Sequence, residues 1–189
     1  MTFRPLALVT AGLLTVLAGS AMAQSENLSA TNQTTFRGSA PGACQLDVAA
    51  SPSSANAQIS ALSPGSADIA ISQMVGSDGL PLGATIVLVL PAVCNQAHTL
   101  NLSSLNGALL GDTPVTGGGA FRSQLPYSVT VSWAGGARSF QTGQSMAPFA
   151  LGDAAAGPVT VTIQIPSGGA PLAAGAYSDE LVLELGIAG

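Results

Sequence analysis

Two segments alternate apolar and polar residues strictly enough to decide what this chain can fold into. In "PYSVTVSW", Tyr127, Val129, Val131 and Trp133 share one parity, and Ser128, Thr130 and Ser132 take the other. In "PVTVTIQIP", Val159, Val161, Ile163 and Ile165 alternate with Thr160, Thr162 and Gln164. Side chains on a strand point to opposite faces in turn, so each segment predicts a half-buried β-strand. "GAYSDELVLELGIAG" repeats the pattern, with Leu181, Leu183, Leu185 and Ile187 on one face. "HTLNLSSL" (98–105) puts Leu100 and Leu102 together and stops at the turn signal Asn106-Gly107. Weaker strands are expected in "CQLDVAA" (44–50), "AQISAL" (57–62) and "ADIAIS" (67–72). "ATIVLVL" (84–90) is apolar on both parities, which predicts a central strand covered on both sides. Helical periodicity is nearly absent. Short strands at close spacing imply an antiparallel sandwich or barrel. The links 107–124 and 135–157 read as irregular loops, each with room for a short helical turn.

Residues 1–23 read as a secretory signal peptide rather than as part of the domain. Arg4 gives a positive start, Leu6 to Leu17 an apolar stretch, and Ala21-Met22-Ala23 a small-residue cleavage pattern before Gln24. That stretch is shorter than the roughly 20 residues a spanning helix needs, and no later run reaches that length. The expectation is an exported protein without membrane insertion. Residues 24–37 then form a polar extension, and 38–189 suit a single domain.

Charge narrows the partners. The chain has no lysine; beyond the leader Arg37, Arg122 and Arg138 stand against nine acids. No basic cluster exists to neutralise phosphates, which argues against nucleic acid or an anionic membrane surface. Charged residues are 7% of the chain, so its strand surfaces lack the like-charge repulsion that keeps sheet edges apart. That favours assembly.

Cys44 and Cys94 are the only cysteines, and an even count in an exported chain reads as a structural disulfide. A metal pair or a catalytic thiol would need further ligands or a paired histidine. Catalytic material is sparse. His98 is the only histidine, and no G-x-S-x-G elbow is present. It reads as an exposed or hydrogen-bonded strand residue. Asp179, Glu180 and Glu184 cluster in sequence but read as a solvated face, not a carboxylate pair. Tyr127 and Trp133 share the parity of Val129 and Val131, which favours core packing over a sugar-stacking surface. Tyr177 resembles a corner tyrosine that ties a turn to the backbone. No cofactor is expected.

Several of these features together resemble the spore coat protein U domain family, which includes the archaic chaperone–usher pilins. The resemblance rests on the leader, the spacing of Cys44 and Cys94, "LNLSSLNG" after the second cysteine, "LPYSVTVSW" in mid-chain and the terminal "LAAGAYSDELVLELGI". It covers about residue 35 to 189. Its implication is an immunoglobulin-like antiparallel β-sandwich lacking its final strand, first filled by a periplasmic chaperone and then by the N-terminal extension of the next subunit. Leu181, Leu183, Leu185 and Ile187 would line the acceptor groove. Leu28, Ala30, Asn32, Thr34 and Phe36, which share one parity of the extension, would form the donor; the competing reading of this polar stretch is a disordered leader.

The function implied is a non-enzymatic structural subunit of a surface pilus serving adhesion and biofilm, delivered through the periplasm to an outer-membrane usher. Two readings stand against it: a monomeric secreted carbohydrate-binding module using Trp133, and a hydrolase needing His98 beside a carboxylate and a hydroxyl.

Overall fold

The alternating segments are strands, and antiparallel pairing joins them into a sandwich-like all-β fold. The computed structural model describes residues 35, 37–47, 56–63, 66–115, 119–144 and 147–188, with backbone alone for 59–63. The chain divides into units Met1–Ser39 and Ala40–Gly189. The leader expected at 1–23 and the donor face from Leu28 to Phe36 lie outside the described residues.

The second unit carries β1 (Cys44–Leu46), β2 (Ala57–Ser63), β3 (Ser66–Ile71), β4 (Ala84–Cys94), β5 (His98–Ser104), β6 (Leu109–Gly111) and β7 (Gln124–Leu125). It continues with β8 (Ser128–Trp133), β9 (Gly136–Gln141), β10 (Phe149–Leu151), β11 (Ala155–Ile165), β12 (Tyr177–Ser178) and β13 (Leu181–Ile187). One sheet has the order β1-β4-β11-β8-β9 and a second the order β10-β5-β13; β12-β6-β7 form a small third sheet, and β2-β3 a separate hairpin. There is no helix among the described residues.

The core lies between the first two sheets. Val129, Val131, Val159, Val161 and Ile163 come from the first sheet, and Leu100, Leu102 and Phe149 from the second; all are buried in one cluster. Cys44 and Cys94 are disulfide-bonded and sit on one rung of the β1–β4 pair, so the bridge fastens the edge strand to the sheet.

Three expectations change. The segment 135–157 is not an irregular loop: it contains β9, β10 and the start of β11. Trp133 pairs with Gly136 across Ala134 and Gly135, whose φ values of 48° and 79° make a two-residue hairpin turn of the kind that matches strand twist. In 107–124, β6 interrupts the loop. Finally, β4 is not covered on both sides. Ile86 and Leu90 are buried, whereas Val87 and Val89 on the opposite face are only half-buried and Val93 is exposed. Its second apolar face looks outward.

Candidate functional site

The two sheets are unequal, and a cleft results. Alternate residues of β4 and β11, paired over eleven rungs, present Ile86, Leu88, Val161 and Ile163 on one face. The facing sheet ends at β13, which is hydrogen-bonded to β5 alone; among the described residues no strand pairs with its other side. The apolar face therefore continues past the covering sheet. A cleft of about 730 Å³ opens there, with Leu46 of β1 and Ile69 and Ile71 of β3 along it.

Register decides what β13 contributes. Directly opposed residues of an antiparallel pair share a face. Leu183 stands opposite Leu102 and Leu185 opposite Leu100, so the leucines of β13 turn toward the core side of the sheet. Yet Leu100 and Leu102 are buried, whereas Leu181, Leu183 and Leu185 remain half-buried because their outer flank faces the cleft. Ile187 behaves differently. It pairs with His98 on the last rung, is 47% exposed, and is not among the residues lining the cleft, unlike the other three.

One end of the cleft is polar. Asp179 and Glu180 lie just before β13, and Asp68 reaches the cleft from β3. Asp179 does not belong to a solvated face, as its sequence neighbours imply. It is half-buried and accepts hydrogen bonds from Ser104 Oγ (2.5 Å), Tyr127 OH (2.6 Å), Asn106 N (2.9 Å) and Glu180 N (2.9 Å). One carboxylate thus ties the end of β5, the start of β8 and the entry to β13. Burial, reinforced by the carboxylate it donates to, pushes the Tyr127 phenol well above the usual tyrosine range. Glu180 and Glu184 are exposed.

The remaining candidates sit elsewhere. His98 is fully buried rather than exposed; its Nδ1 lies 2.9 Å from Gln96 O and its ring packs on Trp133 at 4.5 Å. The deep position follows from the first rung of β5, which lies between β10 and β13. His98 occupies the end of β5 opposite to Ser104 and Asp179, so no histidine, hydroxyl and carboxylate come together there. Trp133 and Tyr127 are core residues at 3% and 4% exposure and offer no stacking surface to a sugar. The Tyr177 hydroxyl donates to the backbone carbonyls of Ala173 (2.8 Å) and Arg122 (3.1 Å), holding the turn before β12; burial raises its pKa. Among the described residues no three His, Cys, Asp or Glu side chains gather to hold a metal.

The sequence reading missed Leu46, Ile69, Ile71, Leu88, Leu102 and Asp179 as parts of the site. Their parity was readable, but their convergence depends on strand order. No family model, curated protein or solved structure matches this chain.

Proposed function

We propose that this protein is a non-enzymatic structural subunit, exported through its leader, that assembles head to tail into a surface fibre by exchanging strands. The observation that carries the reading is the apolar cleft beside the unpaired side of β13. A strand's open side presents backbone donors and acceptors at fixed spacing, and alternate pockets beside it select side chains; together they define β-augmentation. Few other partners satisfy both demands at once. A small ligand could fill the cleft but would leave the row of peptide groups unmet.

The donor is the extension at 24–37 of a second copy. Its face of Leu28, Ala30, Asn32, Thr34 and Phe36 has apolar ends, each worth about 1.5–3 kcal/mol on burial. The small, polar middle contributes little, so main-chain pairing supplies much of the affinity. The resemblance to spore coat protein U domains supports the same reading and adds a periplasmic chaperone and an outer-membrane usher as transit partners. Adhesion or biofilm formation follows as the use of such a fibre.

The test is a chain lacking residues 24–36 but keeping its leader. It should fold, form the Cys44–Cys94 bridge and remain monomeric, while the full chain forms oligomers that resist mild denaturant. Fibre formation undiminished by the deletion refutes the donor assignment.

A further inference from the structure

The polar end of the cleft carries more information than its apolar walls. Asp179 and Glu180 form it, Asp68 lines the same cleft from β3, and among the described residues no arginine lines the cleft. The four donors to Asp179 are all neutral, so its negative charge is not offset by them. In a chain with nine acids and four arginines, three acids along one cleft, two of them adjacent at the entry to β13, set a local field that an occupant meets as it enters. Where could the balancing cation come from? Arg122 donates to the carbonyls of Ala170 and Gly168, and Arg138 lies over the Phe149 ring at 5.9 Å. Arg4 belongs to the expected leader. Arg37 is exposed and directly follows the donor face.

We infer that Arg37 of a second copy docks at Glu180 and fixes the register and direction of the incoming strand; this rests on the strand-exchange reading above. Parity and length select the register. In an antiparallel pair with Arg37 opposite Glu180, Phe36 falls opposite Leu181, Thr34 opposite Leu183, Asn32 opposite Leu185 and Ala30 opposite Ile187. Opposed residues share a face, so Phe36, Thr34 and Asn32 turn toward the cleft-lining leucines, and Arg37 and Glu180 both turn outward. A shift of one residue would flip the whole stripe to solvent. A shift of two places Arg37 opposite Val182 or Ser178, away from any carboxylate on that rung. Placing Arg37 opposite Glu184 leaves only Phe36 and Thr34 against β13. A parallel strand with Arg37 at Glu180 runs off the start of β13 and leaves it unpaired. One arrangement alone satisfies charge, parity and full coverage.

The pair is solvent-facing, so its role is positional, and the apolar face and backbone supply the affinity. Register needs such a device here because a donor with a small, polar middle discriminates poorly between rungs.

Cross-linking in the full chain tests this directly. Opposed positions bring Cα atoms within disulfide range, so Arg37→Cys combined with Glu180→Cys should give covalent oligomers on a non-reducing gel. Arg37→Cys with Val182→Cys should give none. Separately, Arg37→Glu should slow assembly about fivefold at low salt, and adding Glu180→Arg to that chain should restore it. A ladder from the 37/182 pair, a link confined within one chain, or a charge swap that restores nothing overturns the inference. If assembly persists with linkage on another rung, strand exchange stands and only the register falls. If no rung links and the chain lacking 24–36 assembles unchanged, both fall.

Discussion

Replacing Asp179 by alanine should loosen the domain more than any other single exposed-edge substitution, because one carboxylate closes three elements. Four donors converge on it: the Tyr127 and Ser104 hydroxyls and the Asn106 and Glu180 amides. A hydrogen bond to a charged acceptor is worth about 1.5–3 kcal/mol, but a simple sum overstates the loss. Asn106 and Glu180 are exposed, and water replaces the carboxylate at their amides. Tyr127 is 4% exposed, so its hydroxyl loses a strong acceptor with little water to substitute. The expected cost of Asp179→Ala is about 3 kcal/mol, and Tyr127→Phe, which removes one bond and keeps the ring, about 1.5 kcal/mol. For a domain of this size the first corresponds to a fall of roughly 10 °C in Tm. Chemical denaturation followed through Trp133, the only tryptophan, gives both values with the disulfide intact. Because the two variants remove a shared bond, their double-mutant cycle should show a coupling of about 1 kcal/mol or more. A loss below about 0.5 kcal/mol for Asp179→Ala, or strict additivity, refutes the hub.

Two further outcomes follow from the same interactions. Burial, with the Asp179 bond added, holds the folded Tyr127 phenol neutral above the pH near 10 where an unfolded tyrosine ionises. That contribution is therefore complete below pH ~10 and is lost as pH rises further; unfolding midpoints should decline there, and Tyr127→Phe should flatten the decline. Replacing Cys44 and Cys94 together by serine opens a loop with a sequence separation of 50, worth about 4 kcal/mol in the chain-entropy model. Equilibrium unfolding should show most of that loss, since the chain-entropy effect acts on the unfolded chain while the β1–β4 rungs and the Asn95 bonds to Ala43 and Pro41 keep β1 in place; a loss under about 1 kcal/mol contradicts the account.

How much of this was legible beforehand depends on how many sides of a strand are buried. β8, β11, β5 and β13 each have one face against the core, so period two is written in their residues. β9 is an edge strand with only Phe140 buried, and "GARSFQ" carries no alternation to detect. Its turn through Ala134 and Gly135 puts a non-glycine residue at positive φ, where Asn-Gly would have announced a hairpin. The start of β11, residues 155–157, fell in the expected loop, because glycine and proline at Gly157 and Pro158 are strand-breaking residue types. They are tolerated because β8 pairs β11 only from Thr160 to Gln164, leaving that flank of the strand without a ladder to interrupt.

The cleft was half legible for a related reason. Parity says which face of β13 is apolar, and Leu181, Leu183 and Leu185 do lie on the cleft. Parity cannot say whether a face is covered: Leu102 and Leu183 stand on one rung, yet one is buried and the other half open. Coverage is set by the order of strands in the opposite sheet. Asp179 was illegible for a sharper reason, since its partners Tyr127 and Ser104 are 52 and 75 residues away. Its placement bears on the unpaired side of β13. Because the carboxylate fastens the entry to β13 against β5 and β8, the groove's wall is ordered before anything enters it. Under the proposed strand exchange, an incoming strand would order only itself, and the entropic cost of ordering the acceptor would largely be removed from the encounter. On the strand-exchange proposal, a polar knot at one end of an apolar groove would serve docking as well as stability, and Asp179→Ala should then weaken strand uptake as well as the fold.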